Sequence, residues 1–159
     1  MVSKEPGLAT RSGTAALEAE VGSRLGNVIK LAEQALTAVK SSALREFDLT
    51  VPQYSAMVVL SFVPGASGAQ LARICAVTPQ TMATVLANLE AKGLIQRTPS
   101  SVHQKVLVTK LTRTGQALVR KADAKAKMIE DRLAEAFDPD ERAMLAGLLE
   151  RAIKVLAGE

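Results

Sequence analysis

The sequence predicts a mainly α-helical protein that carries one small β-hairpin, and three observations predict it. Apolar residues recur at steps of three and four through most of the chain, and aromatics make up only 3% with no Trp. A single polar stretch is flanked by two short β-prone runs. A core drawn from Leu, Val, Ile, Ala and Met suits packed helices. With 159 residues, 48% hydrophobic and 23% charged, the chain has the size and balance of one large or two small globular domains.

Residues 1–13 mix charges with Gly and Pro and have no apolar h-region, so a disordered lead-in is expected there, not a secretory signal. Over 14–47, Leu17, Val21, Leu25, Val28, Ala32, Leu36 and Val39 mark one long helix. Thr50 then caps a helix with Pro52 in its first turn, and Pro64 and Gly65 stop it. Ser67 caps a short third helix. Thr78 caps a fourth, with Pro79 at the first position, where a missing N–H costs nothing.

Gly93 is the expected left-handed residue after that fourth helix. Runs 94–98 and 105–111 flank the polar tip "PSSVHQ" and predict a hairpin. Thr112 opens a long helix carrying Leu118, Ala122, Ala126, Ile129, Leu133 and Phe137. "DPDE" breaks it and starts the last helix, with acids in its first turn and Met144, Leu145, Leu148, Leu149, Ile153 and Leu156 along one side.

Two helices joined by a tight turn and followed at once by a hairpin outline a winged helix-turn-helix. The expected architecture is that lobe over 48–115, with the hairpin as its wing, plus helices over 14–47 and 116–159 whose long apolar stripes need burial, between two copies as a dimerisation region or within one chain as a bundle. Charge supports the outline. Between 61 and 115 stand Arg73, Lys92, Arg97, Lys105, Lys110 and Arg113 against Glu90 alone, a net of +5, while the whole chain is +4. A middle third that holds all the excess positive charge is the footprint of a protein that meets a polyanion.

The fourth helix has two faces. Met82, Val85, Leu86 and Leu89 share an apolar side that must pack inward, and Gln80, Thr81, Thr84 and Asn88 lie opposite. In a helix-turn-helix the first turns of the second helix meet base edges in the major groove. Gln and Asn pair with adenine N6/N7 and a Thr methyl touches the thymine methyl, so double-stranded DNA is the expected partner. An ordinary solvated helix face has the same composition, and the hairpin and the basic segment decide between them.

The stretches "LTVPQYSAMVVL", "GASGAQLARICAVTPQTMATVLANLEAKGLIQR" and "KLTRTG" resemble the MarR family of bacterial transcription regulators. The resemblance implies a homodimer, a winged helix-turn-helix in each subunit and a pseudo-palindromic operator. It also implies repression that a small aromatic or phenolic effector relieves. Ser67, Thr78, Gln80, Thr81, Thr84, Asn88 and Gln104 are candidate DNA-binding positions; where the family usually carries a wing-tip acid and arginine this chain has Val102, His103, Gln104 and Lys105, and Arg97, His103 and Lys105 are the expected substitutes. Arg24, Lys30, Tyr54 and Met57 are the candidates for the effector site. The alternative function is a winged-helix interaction module or antirepressor that binds DNA weakly.

Enzyme chemistry is not expected. One His and one Cys, far apart in sequence and without a nearby carboxylate, form no catalytic set. No spacing suits a metal, and "GASGAQ" lacks the strand and lysine of a phosphate loop, so no cofactor is expected. No run reaches the roughly 20 apolar residues a membrane helix needs. A lone cysteine, Cys75, fits a reducing cytoplasm and a core position better than a redox sensor.

Overall fold

In a computed structural model the described residues are 8–100 and 106–158. The helices are α1 (Leu8–Ser23), α2 (Leu25–Leu44), α3 (Val51–Phe62), α4 (Gly68–Ile74), α5 (Pro79–Ala91), α6 (Arg113–Glu135) and α7 (Pro139–Ala157). A single 3-10 turn, Arg45–Phe47, follows α2. The strands are β1 (Ala66–Ser67), β2 (Ile95–Pro99) and β3 (Leu107–Leu111). The chain divides into two compact units, 1–39 and 40–159.

The first unit corrects the expectation of one helix over 14–47. Helix already begins at Leu8, inside the stretch expected to be a disordered lead-in, and the chain bends at Arg24 between α1 and α2. Gly22 and Gly26 bracket the bend, and neither is crowded by a neighbour. Arg24 begins the new turn by accepting from the Asn27 amide at 2.9 Å and the Val28 amide at 3.2 Å. An apolar period of three and four passes through such a bend without interruption.

The second unit is built around α3. Thr50 and Gln53 close a capping box at its start, which satisfies the otherwise buried Gln53 side chain. Ala56, Met57 and Leu60 of α3 are buried with Leu44, Leu71, Met82, Leu86, Leu89, Ile95, Val119 and Ala122 in one core. Helices α4 and α5 meet through a turn that puts Ala76 at φ 52°. That left-handed conformation costs a non-glycine residue about 1–2 kcal/mol. Asp48 adopts the same conformation beside the 3-10 turn, where Lys92 Nζ binds its carbonyl oxygen at 2.5 Å and its carboxylate at 2.9 Å.

The hairpin belongs to a three-stranded antiparallel sheet in the order β1-β3-β2. Ile95 pairs with Leu111 and Arg97 with Thr109 across it, while Ala66 and Ser67 pair with Thr109 and Val108. A two-residue strand carries no alternation, so β1 was not anticipated. One joint holds the wing to α6. The Thr112 amide donates to the Leu94 carbonyl at 3.0 Å and its hydroxyl donates to the Gly93 carbonyl at 2.8 Å. The same hydroxyl accepts from the Gly115 amide at 3.0 Å, capping α6. This contact is the physical content of the paired "AKGLI" and "LTRTG" motifs.

Helix α7 begins on a capping box of Asp138 and Glu141, and none of its residues is buried. Met144, Leu145, Leu148, Leu149, Ile153 and Leu156 leave a continuous apolar stripe facing outward. Among the described residues no helix is long and apolar enough to cross a membrane.

Candidate nucleic-acid interface

Helix α5 has the two faces its sequence calls for. Met82, Val85, Leu86 and Leu89 are buried, and Gln80, Thr81, Thr84 and Asn88 are exposed together with Ala83 and Ala87. Thr78 caps the helix by accepting from the Thr81 amide at 3.0 Å, and its hydroxyl oxygen lies 2.8 Å from that of Thr81. Thr84 donates its hydroxyl to the Gln80 carbonyl at 3.2 Å. Ser67 is likewise a cap: its hydroxyl accepts from the Gln70 amide at 3.3 Å while Gln70 answers the Ser67 amide at 2.9 Å.

The basic segment sorts into held and free cations. Lys92 is bound to Asp48. Arg97, a candidate DNA contact, shares the side of the sheet that carries buried Ile95 and Thr109, and its guanidinium faces Glu90 at 4.0 Å. Its Nε and the Thr109 hydroxyl are buried without hydrogen-bond partners among the described residues. Exposed Arg73, Lys110 and Arg113 enter no ion pair among the described residues. These three were counted in the basic segment but not singled out as contacts. Strand alternation was the available signal for Lys110, which pairs with Gln96 on the sheet face opposite Arg97. His103, Gln104 and Lys105 lie outside the described residues.

A cleft of about 210 Å³ opens between α3 and α6, lined by Val58, Ser61, Gln116, Val119, Arg120 and Asp123. Beside it Tyr54 donates its hydroxyl to Asp123 at 2.8 Å. Burial, then that hydrogen bond and the Asp123 charge, push the Tyr54 hydroxyl well above the usual tyrosine range, so it remains a neutral donor. Met57 corrects another expectation: it is fully buried in the core and cannot line an open site. Arg24 and Lys30 are exposed residues of the first unit, and Arg24 pairs with Glu20 at 3.4 Å. Cys75 ends α4, and burial pushes its thiol up, away from the reactive thiolate.

A family model described as MarR family matches residues 47–105. The HTH-type transcriptional repressor Rv2887 of Mycobacterium tuberculosis is 40% identical over 103 residues, 64% of this chain and 74% of that protein. The chain belongs to the MarR family. MarR-family members are transcription regulators and not enzymes. The repressor CouR, solved bound to a 23-mer DNA duplex, is similar with a TM-score of 0.77 at 26% identity, covering 86% of this chain and 96% of CouR. The MarR-family protein Rv2887 in complex with p-aminosalicylic acid is similar with a TM-score of 0.63 at 32% identity, covering 82% of this chain and 98% of that one.

Proposed function

We propose that the chain is a homodimeric repressor that binds a pseudo-palindromic operator in the cytoplasm and leaves it when a small aromatic or phenolic acid binds. The observation that carries this reading is the exposed, uncharged face of α5 in a lobe that also exposes Arg73, Lys110 and Arg113, none of them in an ion pair among the described residues. Residues 48–115 are the DNA-binding lobe in this reading, and 14–47 with 116–159 form the dimerisation region. The unburied stripe of α7 supports the dimer, since an apolar surface of that extent calls for a partner. Two-fold pairing sets the α5 helices about 34–36 Å apart, one turn of DNA.

Selection of random duplex DNA at two salt concentrations tests the reading. An enriched palindrome is expected, with affinity falling by a log–log slope of about −0.9 per phosphate neutralised. Arg113→Ala is expected to weaken every sequence alike and to reduce that slope by about 1. The cation-free α5 face favours a second reading, an interaction module with weak DNA binding, and salt-independent or absent binding would select it.

The cleft between α3 and α6 is our effector site. It is comparable with the cavity of about 150 Å³ that admits benzene, and Arg120 supplies a cation for a carboxylate. Salicylate-type acids are expected to raise the melting temperature of the chain, and Arg120→Ala to abolish the rise. A panel of aromatic acids producing no shift in the unaltered protein would remove the effector from the proposal.

A further inference from the structure

The side chains on the outer face of α5 differ in what they leave available. Thr84 turns its hydroxyl proton back to the Gln80 carbonyl. The Thr81 hydroxyl is engaged with the cap oxygen of Thr78. A β-branched residue whose hydroxyl is drawn to its own helix projects its methyl group instead. Exposed Ala83 and Ala87 add two more methyls beside Thr84, and amides stand above and below it at Gln80 and Asn88. No cation lies among these residues, so the arginine contact that selects guanine is absent.

We infer that Thr81 and Thr84 recognise the C5-methyl group of thymine by methyl contact, so this face selects A·T pairs by shape and apolar surface. Among the four bases only thymine presents a methyl in the major groove. The flanking amides suit adenine, its partner, which commits the face to thymine and not to a modified cytosine. This inference rests on the DNA-reading role proposed above and specifies its chemistry.

The test takes the duplex enriched by selection and replaces its thymines by deoxyuridine, one position at a time in both half-sites. Deletion of a contacted methyl is expected to weaken binding about fourfold per half-site, the weight of one buried methyl group. Thr84→Ser, which keeps the hydroxyl and loses the methyl, is expected to erase the thymine-over-uracil ratio at one position. Thr84→Val, which keeps the methyl and loses the hydroxyl, is expected to retain it. Coincident melting curves for the three proteins exclude a folding effect. Uracil duplexes that bind as tightly as thymine ones overturn the inference while leaving DNA recognition intact. A ratio kept by Thr84→Ser and lost by Thr84→Val overturns it in favour of the hydroxyl. Failure to enrich any duplex overturns instead the DNA-reading role on which it rests.

Discussion

Gly115→Ala is expected to lower stability by on the order of 3 kcal/mol, toward the upper end of what overpacking costs. A Cβ built on Gly115 falls 2.0 Å from the Leu94 carbonyl oxygen and 3.0 Å from its carbon. Both obstructing atoms are backbone, and no rotamer change relieves them. The same carbonyl oxygen accepts from Thr112, so it cannot withdraw without breaking the joint between wing and α6. For a chain of this length the melting temperature should fall by about 10 °C. Gly147→Ala is the control, because nothing lies within 4 Å of its Cβ and it sits on exposed helix. There alanine should stabilise by about 0.5–1 kcal/mol. Equal melting temperatures for the two variants would show that the joint yields.

Replacing Leu148 and Leu149 together by lysine is expected to leave a folded monomer with operator affinity reduced about a hundredfold or more, the loss that follows when a bivalent grip becomes monovalent. Both leucines are part of the exposed α7 stripe and neither belongs to the lobe core, so the lobe should melt as before. Burying two ammonium groups against apolar surface is prohibitive without partners. Sedimentation velocity reads the assembly and fluorescence anisotropy the affinity. A variant that sediments like the unaltered protein, whether as monomer or dimer, would place the dimer contact elsewhere or deny it.

The legible parts of the molecule are those where one residue type has one physical use. Thr50, Ser67 and Thr78 cap the helices they were expected to cap, and Thr112 and Asp138 cap the two helices expected to start beside them. Gly93 takes the positive φ assigned to it. Met82, Val85, Leu86 and Leu89 are all buried because their spacing allows one inward face. The bend at Arg24 was hidden because the apolar period runs through it. The side Arg97 takes was not read, because strand alternation, not charge, decides which face of a sheet a residue joins, and Ile95 two residues earlier is buried on that face. Met57 was misassigned because an α3 residue suited to an apolar pocket is equally suited to the core. Arg120 and Asp123 went unnoticed because reading α6 for its apolar stripe passes over the polar residues between.

Helix α6 is unbroken from the Thr112 joint to Glu135, 23 residues, and so measures about 34 Å as a rigid rod. Its first half carries Gln116, Val119, Arg120 and Asp123, which line the cleft from the α6 side. Lys125 to Glu46 and Lys40 to Glu130 tie it farther along. A rod of this length would act as a lever if it pivoted at the Thr112 joint, with the cleft alongside it. A tilt of about 5° at that joint would carry the far end of such a rod by roughly 3 Å, close to the rise of one base pair, about 3.4 Å.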